Sequence, residues 1–276
     1  MKTPAATGIK SAFVETPTGD YVRILRAGEG PIPVVFVHGW PACGRSYWPF
    51  LIHPGMRRAC RIVAPDLPGF GQTRESAGPL TIERLARALC AVVESEFDRP
   101  CILVGASFGG RVALEAAALR PKLFSRMMLL APLLHAGHAN RNCVVRILRG
   151  FPRAARTLLR PPFTWAAGVW VLMRSIQTAG PGPKTWRHGI PMARDISHMR
   201  LQSSELASAV PDGRPLLTRL RVPTELWYGD RDWLLDVSDY ESIPPRTGLT
   251  IRRLAGAGHG LQFSHVQQIV EAIVAR

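Results

Sequence analysis

The chain has 276 residues, 46% of them hydrophobic and 20% charged. This balance excludes a disordered chain and suits one large domain, or one domain carrying an insertion. Its 35 basic residues outweigh 20 acidic ones for a net charge of +15, and only four of the basic residues are lysines. Such an imbalance favours anionic partners, but neither a zinc-finger spacing nor a basic region running into heptads is present, so nucleic acid is not expected as a partner.

The first ten residues, MKTPAATGIK, lack the apolar stretch of a secretory signal. Pro33 to Val37 is a continuous apolar strand that stops at His38-Gly39, and Arg61 to Ala64 is another, ending in the turn Asp66 to Gly71. From Thr81 to Phe97, Ile82, Leu85, Leu89, Val92 and Val93 recur at helical spacing with Thr81 as the cap. Cys101 to Val104 is a third buried strand; it runs into Gly-Ala-Ser-Phe-Gly-Gly and an alanine-rich helix from Val112 to Leu119, closed by Pro121. Met127 to Leu130 is the next strand. Strands at Thr224 to Tyr228 and Leu249 to Leu254 and a helix from Ser264 to Ala275 complete the pattern. Strands alternating with helices predict an α/β fold, a mostly parallel central sheet with helices on both faces.

The alternation breaks from His135 to about Pro215, where the chain is helical in pattern and rich in Arg, Trp and Pro. This predicts a core of residues 1–134 and 216–276 with an inserted helical cap over 135–215. The longest apolar run, Phe163 to Met173, is far short of the ~20 residues a membrane-spanning helix needs. Five scattered cysteines, Cys43, Cys60, Cys90, Cys101 and Cys143, are odd in number and lack CxxC spacing. They read as reduced structural thiols, and the expectation is a soluble, cytoplasmic protein.

Gly105-Ala-Ser107-Phe-Gly109 fits G-x-S-x-G, and its place between a buried strand and a helix is what a nucleophile elbow requires. The flanking glycines suit a turn in which a Cβ two residues before or after the serine has no room. A serine hydroxyl attacks only when a base takes its proton, and behind such an elbow the acid and then the histidine follow along the chain. His259, on the glycine-rich loop Gly256 to Gly260, is therefore the base; His265 falls on the last helix as a surface residue. Two carboxylates, Asp230 and Asp232, end the strand before it. The N–H of Phe108, after the nucleophile, and that of Trp40, in the loop after the first central strand, are the expected oxyanion donors. His38 reads as a structural loop residue and Asp66 as a turn former. His135-Ala-Gly-His138 is expected to have no nearby carboxylate or third ligand, so no metal and no cofactor are expected.

With His-Gly-Trp-Pro at 38–41, Asp-Leu-Pro-Gly-Phe-Gly at 66–71, the elbow, Gly-Asp-Arg-Asp at 229–232 and Gly-His at 258–259, the chain resembles the α/β-hydrolase superfamily in its capped form, over residues 31–132 and 215–276. The resemblance implies that Asp232, third after the strand-ending glycine, orients His259, while Asp230 serves the turn. It implies hydrolysis of an ester or thioester through an acyl-serine, with a small acyl substrate. Similar epoxide hydrolases and haloalkane dehalogenases carry Asp where Ser107 stands. Carbon–carbon bond hydrolases and acyltransferases use the same triad, although the former typically have Trp after the histidine, where this chain has Gly260. A receptor that keeps the fold without catalysis is the alternative of another class.

The expected cap carries eleven arginines and one lysine against Asp195, Glu205 and Asp212, a net +9. Arg146, Arg149, Arg153, Arg156 and Arg160 recur at three- and four-residue steps, along one helix face. That face is either simply solvated or a docking surface for an anionic acyl carrier protein or coenzyme A thioester. The His-Gly-Trp and Asp-Leu-Pro-Gly-Phe-Gly segments and the basic cap also resemble pimeloyl-carrier-protein methyl ester esterases. Trp165, Trp170 and Met173 are candidates to line the substrate channel, or else form cap core.

Overall fold

The computed structural model describes residues 8–74, 78–139, 205–207 and 209–275. Eight strands form one sheet in the order β1-β2-β4-β3-β5-β6-β7-β8: β1 (Lys10–Glu15), β2 (Tyr21–Ala27), β3 (Ile32–Val37), β4 (Cys60–Pro65), β5 (Cys101–Ala106), β6 (Phe124–Leu130), β7 (Thr224–Gly229) and β8 (Leu249–Leu254). From β4 to β8 all neighbours are parallel, while β1 and β2 join the edge antiparallel. The helices, in chain order, are α1 (Trp48–Leu51), α2 (Pro54–Ala59), α3 (Ile82–Glu96), α4 (Phe108–Leu119), α5 (Arg214–Arg219), α6 (Ser238–Glu241), α7 (Leu261–Ser264) and α8 (Val266–Val274). None among the described residues is long and apolar enough to cross a membrane.

Because strand side chains alternate faces, the sheet feeds two cores. Val35, Val37, Leu103 and Leu129 pack with α3 and α4 on one side. Val34, Phe36, Ile102, Val104 and Leu130 pack with α1, α2, α7 and α8 on the other. Val34, Val35, Phe36 and Val37 are wholly buried, each stabilising by about 1.5–3 kcal/mol relative to exposure. Thr81 caps α3, accepting from the Arg84 N–H at 3.1 Å.

Two departures from the sequence reading have local causes. The hairpin of β1 and β2 escapes an apolar-run search because Arg23 and Arg26 interrupt it. Arg23 is nonetheless buried, its guanidinium 3.1 Å from the buried Asp66 carboxylate. The expected final helix is broken at His265, whose φ of −121° and ψ of 33° separate α7 from α8. His265 is therefore half-buried at a junction, with Nδ1 2.7 Å from Ser264 Oγ, and not on a helix surface.

Most of the expected insertion, residues 140–204, lies outside the described residues, as do Trp165, Trp170, Met173 and the arginines from Arg146 to Arg160. Cys43, Cys60, Cys90 and Cys101 are buried free thiols, and burial pushes Cys60 and Cys90 up to about 11.

Asp66 accepts from the amides of Gly44 and Gln72, both at 2.8 Å, as well as from Arg23. Removing the guanidinium leaves a buried carboxylate with its charge uncompensated. Arg23→Met should therefore lower unfolding stability by about 3 kcal/mol, read from urea or thermal midpoints. An unchanged midpoint would mean that the amides alone hold the charge.

Candidate active site

The parallel strands deliver one loop each to the same carboxyl edge. Strand order reverses between β3 and β5, whose neighbours lie on opposite sides in chain order, and ligands of open α/β sheets bind at such a switch point. There the loop His38-Gly39-Trp40 meets Ser107. A Cβ on Gly39 would lie 3.0 Å from Ser107 Cβ and 3.6 Å from its Oγ.

Ser107 follows β5 directly, with φ 53° and ψ −122°, and precedes the first residue of α4. It is half-buried while Ala106 and Phe108 on either side are buried. The turn is possible because its neighbours lack side chains. A Cβ on Gly105 would sit 2.8 Å from the Gly109 carbonyl oxygen, and one on Gly109 would sit 2.3 Å from that of His38. Gly110 is equally constrained, by Pro132 at 2.6 Å, a requirement the motif pattern does not contain. Phe108 opens α4, and the first N–H of a helix has no intrahelical acceptor. Trp40 sits in the facing loop, packed against the core on the α3 and α4 side.

β7 and β8 bring the late residues together. Gly229 lets the 257–258 backbone pass, since a Cβ there would lie 2.2 Å from the Ala257 carbonyl. Immediately beyond that crossing, His259 Nδ1–H donates to Asp232 Oδ2 at 2.8 Å. The other carboxylate oxygen, Oδ1, accepts from the amides of Leu234 and Leu235 at 2.9 and 3.0 Å. Burial alone would push the Asp232 carboxyl up; His259 and these two amides more than offset it, so it lies below its ordinary value. Asp230 instead accepts from the Gly256 amide at 2.7 Å, which ties the loop after β7 to the turn after β8.

His38 commits both ring nitrogens to backbone. Nδ1–H donates to Gly39 O at 2.9 Å and Nε2 accepts from the Leu67 amide at 3.0 Å, while burial lowers its pKa. For His135 and His138 the sequence reading needs correction, because a carboxylate from a hundred residues away is beside both. Asp239 Oδ2 is 3.1 Å from His135 Nε2 and 3.7 Å from His138 Nε2. Even so, no cluster of three or more His, Cys, Asp or Glu suited to a metal occurs among the described residues.

The chain matches the alpha/beta hydrolase family over residues 34–272, and it belongs to that family. It is 28% identical over 255 residues to the biotin biosynthesis bifunctional protein BioHC of Cellvibrio japonicus, covering 87% of this chain and 46% of that protein. It is 26% identical over 267 residues to a pimeloyl-[acyl-carrier protein] methyl ester esterase of Xanthomonas oryzae pv. oryzae, covering 89% and 94%. The chain spans less than two thirds of the length of the curated relatives that match it first. In fold it is similar to the thioesterase domain from the curacin biosynthetic pathway, with a TM-score of 0.74 at 20% identity over 97% of this chain and 99% of that one.

A carboxyl with a depressed pKa contributes stability that is present above its unfolded value and lost as pH falls through its folded value. Asp232→Asn should therefore unfold more readily than the native chain near neutral pH. The difference should close as pH drops below about 4, where the unfolded carboxylate titrates. Urea midpoints measured across this range test it; a gap independent of pH would mean that the carboxylate charge contributes nothing.

Proposed function

We propose that this chain is a serine hydrolase that cleaves a carboxylic ester or thioester through an acyl-serine intermediate. Ser107 is the nucleophile, His259 the general base and Asp232 the acid that orients it. The observation that carries this reading is the 2.8 Å bond from His259 Nδ1–H to Asp232, with the carboxylate locked by two backbone amides. With the proton on Nδ1, Nε2 holds the lone pair and takes the Ser107 proton as Oγ attacks the substrate carbonyl. The imidazolium then protonates the leaving alcohol or thiol. In the second half His259 takes a proton from water, whose oxygen attacks the acyl-serine, and the imidazolium returns that proton to Ser107 Oγ as the acid leaves. The Phe108 and Trp40 amides stabilise the oxyanion in both halves, a term of about 3 kcal/mol per donor. Neither half requires a cofactor.

The acyl donor we infer is one presented on an anionic carrier, a carrier protein or coenzyme A. The support is the +9 net charge of residues 135–215 and the similarity to a pimeloyl-[acyl-carrier protein] methyl ester esterase across nearly its whole length.

Ser107→Ala should lose roughly 10⁴–10⁶-fold in kcat, the scale of removing a triad nucleophile, and should not react with a fluorophosphonate probe. Retention of a tenth of the activity would assign the nucleophile elsewhere, and a native chain inert to the probe would favour a receptor. Asp232→Asn should cost about 10³–10⁴-fold and Asp230→Asn far less; the reverse ranking would exchange their roles.

Carrier recognition has its own test. Raising salt from about 50 mM to about 500 mM shortens the Debye length to a few ångströms. This should lower kcat/KM for an acyl-carrier or coenzyme A substrate while leaving a small neutral p-nitrophenyl ester nearly unaffected. Arg149→Glu with Arg156→Glu should mimic high salt for the anionic substrate alone. Equal salt slopes for the two substrates would sink the docking idea.

A further inference from the structure

His138 is wholly buried, far from Ser107 in sequence, and bonded as a joint between two loops. Its main-chain oxygen accepts from the Asp236 amide at 3.1 Å, and its ring Nε2–H donates to the Asp236 carbonyl at 3.0 Å. The chain at 138 thus grips both polar groups of one peptide position in the loop that leaves Asp232. The other ring nitrogen, Nδ1, accepts from the Leu134 amide at 3.2 Å, just past the end of β6. That same stretch is pinned to the returning chain, because the Gly213 amide donates to Leu134 O at 2.7 Å and the Ala136 amide to Val210 O at 3.1 Å. The acid loop itself is short: Asp232 Oδ1 reaches only as far as the Leu234 and Leu235 amides, so Asp236 is the next point at which it is tied down.

We propose that His138 is a positioning residue for the catalytic acid, anchoring the 232–236 loop to the end of β6 so that Asp232 stays in register with His259. This rests on the reading of Asp232 as the acid. The bonding fixes the tautomer with hydrogen on Nε2, and the surroundings keep the ring neutral. Burial pushes its pKa down to about 4, against the opposing pull of Asp239. The titratable groups facing it are Asp239, stacked His135 at 5.5 Å between ring centroids, Tyr240 edge-on at 4.8 Å and, further off, Asp232 itself. Asp239 is shared with Arg214 at 3.7 Å, which in turn pairs with Asp212 at 2.8 Å. Tyr240 donates to Pro132 O at 2.9 Å, so ring and loop sit on the same backbone that follows β6.

The two halves of the ring can be separated. In Gln the side-chain amide reaches the place of Nε2 and can still donate to Asp236. In Asn it reaches only the place of Nδ1 and can accept from Leu134. Phe keeps the ring against Tyr240 and His135 with no polar partner. The experiment is steady-state hydrolysis of a p-nitrophenyl ester by the full chain carrying each substitution, alone and with Asp232→Asn. His138→Phe is expected to lower kcat roughly 10- to 100-fold, the scale of a small misplacement of a catalytic group, with KM little changed. His138→Gln should recover most of that loss and His138→Asn should not. With Asp232→Asn already in place, His138→Phe should cost nothing more, since a residue acting through the carboxylate has nothing left to position.

A His138→Phe enzyme with native kcat, beside a crippled Asp232→Asn, overturns the proposal, and so do losses that multiply in the double variant. If His138→Phe does not fold, the other pair decides: an active Gln with a crippled Asn supports the tie to Asp236, and equal or reversed activities overturn it. Full activity in Asp232→Asn would overturn the reading of the acid instead, an outcome distinct from either.

Discussion

The backbone at Ser107 adopts φ 53° and ψ −122°, a conformation that costs an L-residue about 1–3 kcal/mol, and the carboxyl edge of the sheet is built to hold it. The Ser107 amide donates to Leu130 O at 2.9 Å, and its carbonyl accepts from the Gly110 and Leu133 amides at the same distance. Every main-chain partner of this one residue therefore belongs to the start of α4, the end of β6 or the loop that follows it. The surrounding chain approaches so closely that side chains are excluded at Gly105, Gly109 and Gly110. The strained residue thus joins α4 to β6, and it stays partly exposed where the β3 loop arrives.

The same constraint explains what could be read from the sequence. Buried parallel strands are continuous apolar runs, so β3 through β7 were visible to within a residue or two at most ends. The elbow was visible because glycine is the only residue its close approaches allow. The β1 and β2 hairpin was hidden because Arg23 sits in a strand whose burial depends on Asp66, a partner 43 positions later. Asp239 beside His135 and His138 was hidden for a similar reason: its nearness arises from folding across about a hundred residues. Local patterns report backbone geometry and apolar faces, whereas polar pairs between distant segments leave no period to detect. The choice between Asp230 and Asp232 was of the same kind, since both end one strand and differ only in what each meets across the edge, Gly256 or His259.

Charge is spread unevenly in its consequences. In the described core many arginines are spoken for: Arg23 by Asp66, Arg26 by Glu96, Arg84 by Asp20 and Arg111 by Glu115. Where the acid is buried, as Asp20 and Asp66 are, the guanidinium offsets a desolvation cost that lysine, lacking the planar fork, meets less well. An arginine-rich composition is thus partly structural, and net charge by itself does not identify a ligand. The excess of residues 135–215 differs because only three acids stand among its twelve basic residues. Within that stretch of sequence the acids are too few to balance the basic residues.

Three buried histidines separate structural from chemical use of one side chain. His38 joins backbone to backbone, with a carbonyl on one nitrogen and an amide on the other. His138 does the same with the opposite tautomer. For both, taking up a proton would break a bond to an amide, and burial holds both below the ordinary histidine range. His259 commits Nδ1 to a carboxylate instead, and a carboxylate becomes a better partner as the ring turns positive. The first two rings are therefore stable only as neutral connectors. The proposal that His259 is the base rests on that difference in partner, more than on burial or position in the chain.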